Sequence, residues 1–172
     1  MRIWTIGHGT RPAKELIATL LGAGVGTLVD VRRFPGSRRN PQFGQAPLAA
    51  ALAEAGIVYV HEEVLGGRRS RIEGEVRFGC IRVAGLRSYA AWMGTDVWQA
   101  ALARTLAKPA PCYLCAERLP WRCHRHLIGE LLAARGIDVV HLLGPGEALA
   151  HLPFEGAEAK DGRLYLCGKL VA

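Results

Sequence analysis

The chain has no apolar run near the roughly 20 residues that a bilayer-spanning helix needs, so no membrane partner is expected. It has no Gly-x-Gly-x-x-Gly and no Gly-x-x-x-x-Gly-Lys-Ser/Thr. Ordinary dinucleotide and ATPase sites need those glycines to bring backbone against phosphate, and both readings are disfavoured. Internal repeats, low-complexity tracts and linkers are also missing. Lysine is scarce: 4 of the 22 basic residues are Lys and 18 are Arg. The five cysteines, at 80, 112, 115, 123 and 167, are an odd number and do not form a closed disulfide framework. Met1 to His8 enters a strand-like stretch at once, with no apolar segment followed by a small-residue cleavage site. We read no export signal, expect a cytoplasmic location and take the cysteines as free thiols.

What is present is one ordinary domain's worth of chain, 172 residues, half of them hydrophobic. The expectation is a single α/β domain over 1–172 with a less regular tail from about 145, in which Asp161-Gly162 reads as a turn before a short strand, Arg163 to Cys167. The net charge of +7 favours an anionic partner. Ten of the 18 arginines fall in three short stretches: Arg32, Arg33, Arg38 and Arg39; Arg68, Arg69 and Arg71; Arg118, Arg122 and Arg125. Codon bias explains the ratio of Arg to Lys but not the clustering. The planar guanidinium fork suits phosphate and carboxylate.

Apolar runs alternate with helical stripes. Ile3–Ile6, Thr27–Val31, Ile57–Val60, Pro111–Cys115 and Ile137–Leu142 read as five strands. They are continuously apolar, as strands covered on both faces are. Between them, Leu16/Leu20, Leu48/Leu52 and Leu127/Leu131 mark helix faces, with Thr10 and Thr95 as candidate caps. Further helices are expected over about 86–93 and 96–107, and a long loop over 64–85. The fold expected is three-layer: a mostly parallel sheet of about five strands with helices on both faces. Ligands of such sheets bind beyond the strands' carboxyl ends. There the sequence places His8, then Asp30 with Arg32 and Arg33, then His61 and Glu62, then Cys115 and Glu117, and finally His141.

Certain motifs follow one another in order: Thr5-Ile6-Gly7-His8; Asp30-Val31-Arg32 with Pro35, Ser37 and Phe43; Leu65-Gly66-Gly67; Tyr89, Met93 and Trp98; Cys115-Ala116-Glu117; and Cys123-His124-Arg125. This order resembles the family known as domain of unknown function 488, from about residue 3 to about 142. Family members usually carry Ser after the first Gly-His, where this chain has Gly9-Thr10. The resemblance implies a small cytoplasmic α/β domain and no established reaction.

The chemistry is therefore read from the residues. Cys115 ends a strand, and Cys123 and His124 open a helix whose dipole favours a thiolate. Cys115 or Cys123 is a candidate nucleophile, with His124, Glu117 and Asp30 for proton transfer or orientation. The plain alternative is that both cysteines are packing residues. Asp30 either acts as a base or orients Arg32. Arg32 and Arg125 are candidate anion clamps. His8, Ser37, Gly66 and Gly67 are candidate substrate contacts. His126 falls on a polar helix side and reads as solvated. A zinc site of Cys112, Cys115, Cys123 and His124 is disfavoured, because Cys112 and Cys115 lie three apart on one strand and face opposite ways unless the strand ends between them; no metal or other cofactor is expected. Trp121 is free to stack a base or ring. Two functions stand: an enzyme acting on an anionic, phosphate-bearing small molecule or nucleic-acid component, and a non-enzymatic nucleic-acid-binding module using the loop arginines.

Overall fold

The structure is a computed structural model that describes residues 1–172 except 37, 70, 71, 73 and 74. Ser37 and Arg71 therefore lie outside the described residues. In chain order the elements are β1 (Arg2–Gly7), α1 (Ala13–Gly22), β2 (Thr27–Asp30), α2 (Gln45–Glu54), β3 (Val58–His61), α3 (Ala84–Met93) and α4 (Asp96–Leu106). They continue with β4 (Pro111–Cys115), α5 (Arg125–Ala134), β5 (Asp138–Gly144), β6 (Glu147–Ala150), β7 (Ala157–Lys160), β8 (Arg163–Leu166) and β9 (Lys169–Leu170).

Six strands form one sheet in the order β3-β2-β4-β1-β5-β6. The first five are parallel and β6 joins β5 antiparallel. Alternation along the strands sends side chains to two cores. Ile6, Leu28, Cys112 and Leu114 pack on one face with Leu16 and Leu20 of α1 and Leu48 and Leu52 of α2. Ile3, Val29, Tyr113 and Val139 pack on the other with α3, α4 and α5. Chain connections that run toward β3 cross one face, and those that run back toward β5 cross the other. A single handedness of crossover requires this arrangement.

β4 lies between β2 and β1, yet its following helix lies on the opposite face from theirs. The loops that leave the three strands part around the end of β4, and a crevice opens where they part. The expected three-layer fold stands with one strand more.

Local details differ from the sequence reading where backbone chemistry intervenes. Thr10 caps nothing. Gly9 turns at φ +55°, Pro12 is the N-cap, and α1 starts only at Ala13. Thr95 does cap α4, accepting from the Trp98 N–H at 3.4 Å. The tail is regular, because β7, β8 and β9 make a second, antiparallel sheet. Its Leu164, Leu166 and Val171 join the core beside α5.

That sheet also corrects the expectation of five free thiols. Cys167, in the turn between β8 and β9, is disulfide-linked to Cys80, 87 residues earlier. Only the folded arrangement brings these segments together, so no spacing in the sequence announces the pair. Cys112, Cys115 and Cys123 are free. Among the described residues, no helix is long and apolar enough to cross a membrane.

Protein unfolded without reductant will show three titratable thiols per chain, and Cys167→Ser will lower the unfolding free energy by about 2–4 kcal/mol. Five thiols in unreduced protein would contradict the link.

Candidate thiol site

The end of β4 and the start of α5 hold two sulfurs together. The Cys123 thiol is 2.6 Å from Cys115 Sγ. Cys123 directly precedes the helix, and the backbone N–H of Arg125 points at its sulfur, 3.4 Å away. His124 is the N-cap of α5. Its Nδ1 lies 3.5 Å from Cys123 Sγ, its ring meets Tyr89 edge-on at 4.8 Å, and its buried Nε2 has no partner.

Cys115 is held well below the usual thiol range. The hydrogen bond from Cys123 is the largest cause; burial opposes it, and His124 and Arg125 add to it. Burial and the adjacent charge on Cys115 push Cys123 well above that range. Within the pair, this hydrogen bond favours the negative charge on Cys115 and the proton on Cys123. Complete burial pushes Cys112 up as well, and its side chain packs in the other core, as strand alternation requires.

Arg125 is 1% exposed. Its Nη2 donates to the carbonyls of Glu117 and Arg118, each at 3.0 Å. Its Nε and Nη1 are buried without a partner. Nearly every buried donor is satisfied in folded proteins, so two guanidinium donors without a partner beside the sulfur pair set this arginine apart.

On the other side of β4 the candidates form a second network. Asp30 Oδ1 accepts from the Arg32 backbone N–H at 3.0 Å and from Arg32 Nε at 2.8 Å. Oδ2 accepts from Arg32 Nη2 at 2.5 Å and from the Tyr59 hydroxyl at 2.7 Å. With four donors on it, Asp30 orients Arg32 and has little accepting capacity left for base chemistry. The remaining Arg32 nitrogen, Nη1, faces His8 Nε2 at 3.3 Å. The His8 Nδ1–H donates to the Gly9 carbonyl at 2.8 Å, which leaves Nε2 as the acceptor. His8 also stacks on Phe43 at 4.4 Å. Burial lowers its pKa, so the ring is neutral.

Several expected contacts fall elsewhere. The Glu117 side chain is exposed, and only its carbonyl reaches Arg125. Gly66 and Gly67 are buried by close packing rather than open to a ligand. A side chain at Gly66 would meet the Arg33 backbone at 3.0 Å, and one at Gly67 would meet His124 Nδ1 at 2.6 Å. Glu62 is bound to Arg104 at 3.0 Å, and His61 Nε2 is bound to the Arg32 carbonyl at 2.8 Å.

His141 is not at a strand end, because β5 runs on to Gly144. It faces α5 and meets His126 and His151. His126 is paired to Glu130 at 3.2 Å instead of being solvated. Burial, with neighbouring positive charge, takes His141 down to about 3. Burial alone would raise Glu130, yet hydrogen bonds from His126, His151 and the Phe154 N–H bring it to about 2.

Two groups among the described residues could hold a metal ion: Cys115 with Cys123 and His124, and His126 with His141 and His151. The second was missed in the sequence. His126 and Glu130 stand four apart on a helix, a spacing that marks a shared face, but their partners come from β5 and the end of β6.

The chain is thus an α/β protein with a buried thiol pair at the carboxyl end of its strand β4. Residues 12–132, more than two thirds of the chain, match the family described as Domain of unknown function DUF488, and the chain belongs to that family. The matched stretch includes Asp30, Arg32 and the whole Cys-Ala-Glu…Cys-His-Arg block, and it ends before His141 and His151. No curated protein and no solved structure matches the chain.

Thiolate absorbance will persist in folded protein at about pH 6, where an ordinary thiol is only about 0.3% ionised. It will vanish in Cys115→Ser and titrate at higher pH in Cys123→Ala. An onset at ordinary thiol pH in the unaltered protein would contradict the assignment.

Proposed function

We propose that this chain is an enzyme that uses Cys115 as a nucleophile on an anionic, phosphate-bearing substrate such as a nucleotide or a nucleic-acid component. One observation carries the reading: a thiolate stabilised by a second thiol sits beside a buried arginine with two unused donors. A packing pair would gain nothing from a buried charge, which is costly to desolvate.

In this reading the Cys115 sulfur forms a bond to an electrophilic atom of the substrate. The bond to the leaving group breaks with its electron pair, and the proton on Cys123, or one relayed through His124, goes to that group. Water then cleaves the bond to sulfur, restores the thiolate and returns a proton to the pair. Arg125 Nε and Nη1 hold the anionic group. Arg32, aimed by Asp30, adds positive charge from the other side of β4 through the His8 contact.

We place this chemistry in a reducing cytoplasm, which keeps the two sulfurs as thiolate and thiol. The Cys80–Cys167 link is the observation that pulls the other way.

A second reading, the nucleic-acid-binding module, draws on one observation: Arg38, Arg39, Arg68, Arg118 and Arg122 are exposed. That basic surface needs no thiol.

Alkylation of Cys115, followed by peptide mapping, separates the two. Phosphate or a nucleoside monophosphate will slow labelling at least about tenfold, and Arg125→Lys will lose most of that protection, because its point charge replaces a two-donor fork. No protection by any phosphate compound, together with salt-sensitive oligonucleotide binding that survives Cys115→Ser, would favour the module.

A further inference from the structure

Outside the sulfur site, three imidazoles from three different elements meet above one glycine. His126 is on α5, His141 is on β5, and His151 follows β6. One ring nitrogen from each lies within 4.8 Å of the other two. Gly129 of α5 makes the approach possible, since a side chain there would stand 2.8 Å from His151 Nδ1 and 3.6 Å from His141 Cε1.

The far nitrogens of the rings are held in a consistent way. His141 Nδ1 is 2.7 Å from Thr5 Oγ1. The Nε2 atoms of His126 and His151 lie 3.2 and 3.4 Å from one oxygen of Glu130, the second contact being close in distance but without hydrogen-bond geometry. That oxygen is itself fixed by the Phe154 backbone N–H. His141 and His151 therefore present their remaining nitrogens to each other, and one nitrogen of His126 lies within 4.8 Å of both. His141 Nε2 and His151 Nδ1 are 3.0 Å apart, and His126 Nδ1 is buried with no partner. Two imidazole nitrogens on one tetrahedral zinc ion, with bonds of about 2.0–2.1 Å, stand about 3.3 Å apart. For that pair a widening of a few tenths of an ångström admits the ion, and the His126 ring, with a nitrogen within 4.8 Å of both, closes onto it.

We propose that His141 Nε2, His151 Nδ1 and His126 Nδ1 form a three-imidazole site for a divalent transition-metal ion, Zn²⁺ being the best match. Glu130 and Thr5 are then the outer partners that fix the ring tautomers, an arrangement characteristic of protein metal sites. Three neutral nitrogen donors suit zinc over magnesium or calcium, which take oxygen. His126 also lines a surface cavity of ≈ 510 Å³ with Trp121, Cys123, Leu127 and Phe154. The site does not depend on the thiol reading and shares no ligand with it.

The test is titration of chelator-treated, full-length protein with Co²⁺ and Zn²⁺, kept folded as judged by circular dichroism. One Co²⁺ per chain is expected to bind with visible ligand-field bands and no sulfur-to-metal charge-transfer band, and to be displaced by Zn²⁺. Cys115→Ser/Cys123→Ser will bind equally well. His151→Ala, which lies outside a regular element, will weaken binding at least about 100-fold, and Thr5→Val about tenfold. No binding by folded protein would overturn the site and leave the histidines as a hydrogen-bonded relay. So would a charge-transfer band that is lost with the cysteines and kept in His151→Ala.

Discussion

A negative charge on a buried sulfur must be held by donors that do not move. In this protein the donor is a second sulfur, the Cys123 thiol, 2.6 Å from Cys115. The cysteines come from two elements, the last residue of β4 and the approach to α5. The charge therefore exists only when the loop between them is fixed. Arg125 fixes it: one of its nitrogens binds the carbonyls of Glu117 and Arg118 inside that loop. The same guanidinium keeps its other two donors without a partner, so one residue both shapes the loop and supplies positive charge.

The backbone makes room for that loop at one point. Gly7 ends β1, and a side chain there would stand 1.7 Å from the Glu117 carbonyl oxygen. Beyond it, the N–H groups of His8 and Gly9 donate to the carbonyls of Cys115 and Ala116 at 3.0 and 2.9 Å. β1 and β4 thus stay paired past their formal ends, and His8 is carried to Arg32 Nη1. On the opposite flank Asp30 is saturated by Arg32 and Tyr59. The strand end combines a pre-aimed arginine, a neutral histidine and a thiolate, and each is set by its neighbours before any ligand arrives. Such prior orientation is what lets charged groups act without reorganising.

Much of this was legible in the residues. Continuous apolar runs such as Thr27–Val31 and Pro111–Cys115 announced strands covered on both faces, and that class of sheet places its site at the carboxyl ends. The opposite facing of Cys112 and Cys115 followed from strand period alone. Other features depend on long-range pairing, which local pattern does not encode. The turn at Asp161-Gly162 and the strand that follows it were legible, but β6, β7 and β9 are short, and they are held by antiparallel pairing. His126 looked solvated because its partners, His141 and His151, reach it only after β5 and β6 pair. Glu117 looked catalytic by position, yet the close approach at Gly7 turns its carbonyl inward and leaves its carboxylate outside. Gly66 and Gly67 resembled a ligand cradle but serve to admit the Arg33 backbone and the His124 ring.

The central claim is that one charge sits on Cys115 and one proton on Cys123. Chemical-shift titration of the cysteine β-carbons, with ¹³C-labelled cysteine, reads both sulfurs separately. The account predicts that Cys115 titrates well below the ordinary thiol value of about 8.5 while Cys123 titrates well above it. Two ordinary titrations, or the reverse order, would contradict it.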